Sequence, residues 1–411
     1  MKIIFLTIIN IDSINSSGIY TDLIRDFQKN GHDMYVVCPI ERRDKKSTSL
    51  DVENGVNILR VRIGNIQKCN IIEKGISTLL IKSCFVNAIK KHFSGIHFDL
   101  ILYSTPPITF SNVIRYIKKR DNAESYLLLK DIFPQNAVDL NMFSKKSFIY
   151  KFFRKKENDL YKISDHIGCM SQANTDYILK HNPEIPPDKV HVNPNSIEIK
   201  DIVYSEEAKR EIRIKYDLPA DKIIFVYGGN LGKPQGIPFI IECLKSQRDN
   251  DKAYFLIVGS GTEYNKLESY MNEEKPVNVK LMPYIPKKDY DILIAACDVG
   301  VIFLDHRFTI PNFPSRLLGY MQAGIPVLAC TDANTDVGKT IVDGGFGWWC
   351  ESNDARKFEK CIFDIMEDIN NKNIDNMIKK EADYLKEKYS ASISYDIILN
   401  AIGDNNESIA D

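Results

Sequence analysis

Residues 226–236 read VYGGNLGKPQG, an apolar run that stops at glycines 228, 229, 232 and 236 with a lysine, Lys233, among them. Glycine lets a backbone approach a ligand closely, and a helix N-terminus offers unpaired N–H groups and a partial positive charge. The chemistry such a strand-to-helix turn can perform is anion binding, with a phosphate as the natural occupant. Gly229, Asn230, Gly232 and Lys233 are the candidate contacts. The alternative is a plain structural turn.

Those residues need rigid elements behind them. A chain of 411 residues exceeds one ordinary core, which predicts two domains. Hydrophobic residues at 44% and charged residues at 27% describe a folded globular chain. The net charge of -1 argues against nucleic-acid binding by bulk electrostatics. Nine cysteines, at 38, 69, 84, 169, 243, 297, 330, 350 and 361, form no CxxC pair and read as small buried hydrophobes of a reducing compartment. No stretch approaches the ~20 apolar residues of a membrane span, and a cytoplasmic location is expected.

Apolar, β-branched runs alternate with amphipathic stretches throughout. In the first half the runs are 3–9, 34–39, 56–63, 99–104, 125–131, 166–171 and 189–194. Between the first two, Ile19, Leu23 and Phe27 recur at helical spacing before Gly31. A charged segment, 196–222, precedes a restart of the same rhythm at 223–229, 253–261, 279–284, 299–304, 325–330 and 347–351. This predicts two doubly wound α/β domains with parallel sheets, residues 1–200 and 201–387, facing a central cleft at the strand carboxyl ends. The apolar face of a last helix, 388–404, is expected to pack back on the first domain.

The second half carries the most specific pattern. SGTEYNKLESY (260–270), MPYIPKKDYDILIAACDVGVIFL (282–304), IPNFPSRLLGYMQAGIPVLA (310–329) and VDGGFGWWCESND (342–354) resemble, with the glycine turn, the nucleotide-sugar domain of retaining GT-B glycosyltransferases of family 4. INSSGIYTDLIRDFQKNGHDMYVV (14–37), LLLKDIFPQNA (127–137), DHIGCMSQANTDYI (165–178) and VNPNSIE (192–198) look like the matching acceptor-domain segments. Within the family the nearest resemblance is to L-fucosamine transferases of bacterial O-antigen assembly.

A sugar nucleotide carries a diphosphate. A helix dipole contributes only about 0.3–2 kcal/mol to holding an anion, whereas each charge-assisted hydrogen bond contributes about 1.5–3 kcal/mol, so cations are required. Lys233 and Arg316 are assigned that catalytic role. Arg316 as a solvated helix residue is the alternative. Gly18, Ser315 and Leu317 join the turn residues as donor-binding candidates, with Ser315 either capping its helix or bonding the phosphates. The resemblance implies that Asp131 orients an acceptor hydroxyl and that Lys130 meets a lipid pyrophosphate. The alternative for Asp131 is to cap a helix beginning at Pro134. The family's two glutamates, with seven residues between them, correspond to Pro311 and Gly319, so ribose must be held by other groups. Gln235 stands where the family's lysine usually does.

Two acidic triplets, 249–251 and 289–291, read as solvated surface, and no metal is expected. His306 is a candidate for contact with sugar or base, with a structural role as the alternative. The stretch 144–163, with Phe148, Phe152 and Phe153 among cations including Arg154, suggests a helix lying on an anionic membrane with its rings partly inserted. Rings facing the core is the alternative. The resemblance implies a retaining, metal-independent glycosyltransferase. It would move N-acetyl-L-fucosamine from a UDP-sugar to a polyprenyl-pyrophosphate-linked saccharide, peripherally at the inner membrane, with no cofactor beyond the co-substrate. A UDP-sugar 2-epimerase and a catalytically silent nucleotide-sugar-binding subunit are the alternatives.

Overall fold

The computed structural model describes residues 1–66, 71–201 and 204–407, so Cys69 lies outside the described residues. The chain divides into two compact units: Met1–Glu198 with the segment from Ser390 onward, and Ile199–Tyr389.

The N-terminal unit is built on β1 (Lys2–Leu6), β2 (Asp33–Glu41), β3 (Ser49–Glu53), β4 (Val56–Ile63), β5 (Leu100–Ser104), β6 (Glu124–Leu129), β7 (His166–Cys169) and β8 (Val190–Val192). They form one sheet in the order β3-β4-β2-β1-β5-β6-β7-β8. All its pairings are parallel save β3 with β4, which is antiparallel. Every residue of β5 is buried, as a strand covered on both faces requires. The sequence reading passed over β3 because its central three residues are exposed and its composition is polar. Its signal is Asn54-Gly55, both at positive φ (49° and 81°), the two-residue turn of a tight hairpin.

The helix Ile19–Lys29 buries Leu23, Ile24 and Phe27 and gives way to Gly31 at φ 82°. The last helix, Ala391–Glu407, packs on it. Ile398 and Ile402 enter the same core as Phe5 and Phe27, and the Tyr395 ring meets Phe27 edge-on at 4.8 Å. Ser394 adds a buried hydrogen bond, donating to Asn193 Oδ1 at 2.7 Å. The helices Ile71–His92 and Phe148–Ile163 both pack against Ser111–Asp121 between them. Of the rings in the expected membrane helix, Phe153 meets Phe133 edge-on at 5.0 Å and Phe152 meets Phe153 at 5.3 Å, both half-buried, while Phe148 is 81% exposed.

The C-terminal unit carries β9 (Ile223–Asn230), β10 (Ala253–Ser260), β11 (Val279–Met282), β12 (Val299–Phe303), β13 (Val327–Thr331) and β14 (Gly347–Glu351). Their order is β11-β10-β9-β12-β13-β14, all parallel. Cys243, Cys330, Cys350 and Cys361 lie in its core as free thiols. Among the described residues no helix is long and apolar enough to cross a membrane.

The docking of the last helix can be measured. Replacing fully buried Ile398 by alanine deletes methylenes from a packed core and should cost about 2–5 kcal/mol, read as a lower urea midpoint. An unchanged midpoint would mean that this helix is not docked in solution.

Candidate active site

Strand β9 ends against unusually close neighbours. A Cβ on Gly228 would lie 1.9 Å from the Tyr290 hydroxyl, and one on Gly259 of β10 would lie 2.0 Å from the Gly229 carbonyl oxygen. Gly229 has φ 128°, a conformation side chains disfavour, so glycine is required there on backbone grounds as well. Into this bare backbone reaches Arg316, the first residue of the helix Arg316–Ala323. Its Nη1 donates to the Gly228 carbonyl at 3.2 Å and its guanidinium lies 4.5 Å from the Tyr227 ring centroid. One turn on, the Tyr320 hydroxyl accepts from the Gly228 N–H at 3.3 Å and lies 3.1 Å from the carbonyls of Val226 and Val301. Among the described residues no carboxylate pairs with Arg316.

The loop that delivers Arg316 is pinned from outside. Asn334 Nδ2 donates to the Phe308 carbonyl at 2.7 Å, the Asn312 N–H donates to Thr335 Oγ1 at 3.0 Å, and the Phe313 ring meets Tyr389 at 5.9 Å. Asp332 organises the pinning turn by accepting from the N–H groups of Asn334 and Thr335, at 2.9 Å each, and from Thr335 Oγ1 at 2.8 Å. Its burial pushes its carboxyl up to about 6.

Past β9 the chain turns through Gly232 and a short 3₁₀ segment, Lys233–Gln235, and enters the helix Ile237–Ser246 by way of Gly236 at φ 63°. Gln235 is buried, and its Oε1 accepts from Gly232 N–H at 3.2 Å and Asn230 Nδ2 at 3.1 Å. This amide braces the turn from within. Lys233 is left on the exposed side, where no described residue pairs with its ammonium. The structure thus brings Gly229, Asn230, Gly232, Lys233 and Arg316 to one strand end.

At this helix start one alternative falls away, which leaves Ser315 with its phosphate-binding reading, and one expectation, Leu317, is corrected. Ser315 makes no side-chain cap, because its backbone is already helical (φ -63°, ψ -16°) where a capping residue needs an extended one; its side chain is exposed. Leu317 is fully buried and its N–H already donates to the Pro314 carbonyl at 3.2 Å, so neither end of it is open to a donor. His306 lies in the loop after β12, 3.8 Å from Asp305, whose carboxylate is held by Arg307 at 2.7 Å. In the acidic triplets, Asp291 is paired with Lys287 on one helix, and Asn250 donates to Gln247 Oε1 at 2.9 Å.

In the N-terminal unit, Gly18 precedes the helix Ile19–Lys29 in extended backbone, with its N–H donated to Asp22 Oδ1 at 3.0 Å. That N–H is therefore already satisfied. Lys130 and Asp131 leave the end of β6 braced by Thr105, whose Oγ1 accepts from both N–H groups at 2.9 and 3.1 Å. Asp131 Oδ1 accepts from Asn136 Nδ2 at 2.8 Å. The helix Gln135–Asp139 has no side-chain cap, which excludes the capping role for Asp131. Burial raises the Asp131 carboxyl to about 6, against the hydrogen bond from Asn136. Burial lowers the Lys130 ammonium to about 7, and no described residue pairs with it. Glu157 sits behind, raised to about 7 chiefly by burial, bonded to Arg154 at 2.7 Å and Tyr161 at 2.8 Å, and it interacts with Asp131. Sequence reasoning missed Glu157 and Asn136. It also missed Thr105, although a threonine closing an apolar strand run is a readable signal.

Residues 208–383 match the sequence model of the family described as "Glycosyl transferases group 1". That match spans most of the C-terminal unit, Ile199–Tyr389. The "Probable glycosyltransferase WbjE" of Pseudomonas aeruginosa is 23% identical over 359 residues, 86% of each chain. WcaI of Escherichia coli, named as a colanic acid biosynthesis glycosyl transferase, is 28% identical over 247 residues, 59% of each chain. Among solved structures, Anabaena HepE in complex with UDP aligns with a TM-score of 0.70 at 14% identity, covering 98% of this chain and 100% of that one. Sucrose-phosphate synthase of Thermosynechococcus elongatus aligns at 0.74 and 15%, covering 99% and 98%. These likenesses establish the GT-B fold.

At the two glutamate positions of the glycosyltransferase pattern the chain departs sharply. Pro311 is buried, and a Cβ on Gly319 would meet nothing within 4 Å. The contrast between two glycines is a test of the local geometry. Gly319→Ala fills open space in a helix and should stabilise the protein by about 0.4–1 kcal/mol. Gly228→Ala forces the Tyr290 hydroxyl away and should cost about 1–3 kcal/mol or more. Differential scanning calorimetry reads both; equal midpoints for the two variants would contradict the packing described.

Proposed function

We propose that the protein transfers a sugar from a UDP-sugar to a lipid-linked saccharide during bacterial surface polysaccharide assembly, with retention of anomeric configuration. The carrying observation is Arg316, uncompensated by any described carboxylate, at a bare glycine strand end beside exposed Lys233. Such a site fits the diphosphate of an activated sugar. The relatives' names support the setting, since WcaI is named for colanic acid biosynthesis and TuaC of Bacillus subtilis for teichuronic acid biosynthesis. HepE structures with UDP and with UDP-glucose support the donor class.

In this reading the C-terminal unit holds the donor. The bond between the sugar's anomeric carbon and the diphosphate breaks, and the charge left on the diphosphate is stabilised by Lys233, Arg316 and the N–H groups of the turn. These cations, with no metal ion or other cofactor, carry the electrostatic work. The N-terminal unit receives the acceptor. Asp131 accepts a hydrogen bond from the attacking hydroxyl, and Lys130 meets the lipid pyrophosphate at the cytoplasmic face of the inner membrane. N-acetyl-L-fucosamine is the sugar we assign to the donor.

Lys233 is exposed, so its removal tests binding without disturbing the fold. Lys233→Ala should weaken UDP binding by calorimetry roughly ten- to a hundredfold, the loss of one charge-assisted hydrogen bond, with an unchanged melting temperature. Unaltered affinity would remove it from the site. Given UDP-sugars with and without lipid acceptor, release of UDP only with acceptor supports transfer. Isomerised donor would instead indicate a 2-epimerase, and binding without turnover a silent subunit.

The acceptor site should be pH-dependent in both directions. Asp131 must be ionised to accept the hydroxyl, so kcat/KM for acceptor should rise as pH passes about 6. Lys130 must be protonated to hold a phosphate, so the same quantity should fall as pH passes about 7. Lys130→Arg should move the falling limb to alkaline pH, because a guanidinium stays charged. A falling limb that stays in place would show that Lys130 does not bind the acceptor.

A further inference from the structure

Three tyrosines, Tyr227, Tyr290 and Tyr320, act electrostatically on Arg316. Tyr227 offers its ring from β9, Tyr320 stands one turn on in the arginine's own helix, and Tyr290 comes from the helix Lys287–Ile294, which packs against that helix. Two of the three hydroxyls are used on backbone. Tyr227 donates to the Asn230 carbonyl at 2.7 Å. Tyr320 accepts from the Gly228 N–H and holds its own proton between the Val226 and Val301 carbonyls. The third hydroxyl, on Tyr290, is buried and makes no hydrogen bond of proper geometry among the described residues, although the Tyr320 hydroxyl and the Arg316 guanidinium are its polar neighbours. Burial pushes Tyr290 well above the ordinary phenol range and Tyr320 up to about 12, so both stay neutral and offer dipoles, not charge.

A hydroxyl in that state is unusual. Most buried polar atoms have partners, and one without a partner costs stability. Phenylalanine would supply the same ring without that cost, so packing alone gives no reason for the oxygen. Its position does. The Tyr290 hydroxyl lies 1.9 Å from where a Cβ on Gly228 would stand, and the Gly228 carbonyl is the group to which Arg316 Nη1 donates at 3.2 Å. Gly228 is thus held by Tyr320 at its N–H and by Arg316 at its carbonyl, with the Tyr290 oxygen filling its side-chain space. That oxygen closes the side of the strand onto which the guanidinium would otherwise settle. It is also a neutral acceptor beside a cation that no described carboxylate neutralises.

We propose that Tyr290 is a positioning residue of the anion site, its hydroxyl keeping the Arg316 guanidinium on the Gly228 carbonyl so that the remaining N–H groups meet the donor's diphosphate. The inference rests on the function proposed above. A guanidinium carries its N–H donors in a rigid fork, so tethering one sets the direction of the others. Tyr290 touches no substrate in this scheme; it acts only through Arg316.

Tyr290→Phe removes the oxygen and keeps the ring. UDP affinity by calorimetry should fall about three- to tenfold, while uridine affinity by ligand-observed NMR stays unchanged because uridine has no phosphate. The melting temperature should not fall, since the hydroxyl gives up no hydrogen bond. In an Arg316→Ala background, Tyr290→Phe should change UDP affinity no further. A loss for uridine equal to that for UDP, or a lowered melting temperature, would make the role of Tyr290 structural and overturn the inference. A further loss on top of Arg316→Ala would also overturn it, because the hydroxyl would then act by itself. If Arg316→Ala weakens UDP binding and Tyr290→Phe does not, the inference alone fails. If Arg316→Ala leaves UDP affinity unchanged, the diphosphate reading of the site fails and the inference goes with it.

Discussion

Arg316 holds its guanidinium between the Gly228 carbonyl and the Tyr227 ring, at 3.2 and 4.5 Å, with no described carboxylate to neutralise it. A ring face and a carbonyl are weaker partners than a carboxylate: a cation–π contact contributes about 0.5–2 kcal/mol. The site therefore keeps its positive potential and its appetite for an anion. Much of the C-terminal unit maintains that arrangement. Gly228 has no side chain because Tyr290 fills the space, Gly229 has none because its φ forbids one cheaply, and the 308–315 loop is tied to an aspartate-centred turn. Gln235 sets the far side of the turn, leaving Lys233 outside. The lysine is mobile charge and the arginine is placed charge.

The N-terminal unit solves a different problem with one physical cause. Consecutive residues at a strand end point to opposite sides, and there Lys130 and Asp131 both lose solvent. Desolvation disfavours each charged form, so the ammonium falls to about 7 and the carboxyl climbs to about 6. Two groups that titrate far apart in water are drawn toward neutrality from both sides. Thr105 fixes their backbone and Asn136 fixes the carboxylate, so the pair is positioned as well as tuned.

Much of this was readable in the chain. Strands buried on both faces must be continuous apolar runs, and the runs at 99–104, 125–131 and 223–229 became β5, β6 and β9 within a residue or two. The edge strand β3 was not, because an exposed edge has no apolar demand to print, although Asn54-Gly55 marked its hairpin. The glycine turn and Arg316 were legible as chemistry, since glycine and arginine are expensive or unusual where nothing needs them. Leu317 was misjudged because adjacency to Arg316 in sequence says nothing of direction: on a helix, successive residues point about 100° apart, and Leu317 points into the core.

By itself the sequence determined the alternation of buried strands and amphipathic helices, the lack of any helix-length apolar span, and the two places where charge meets bare backbone. These are local properties, set by composition and period. Only the tertiary structure decided that Arg316, 88 residues beyond Gly228, would lie on its carbonyl, that Glu157 would stand behind Asp131, and that Phe152 and Phe153 would be spent on packing while Phe148 faced outward. The reason is that solvent access and the partners of a charge are properties of the surface enclosed by distant segments, and no window along the chain contains them.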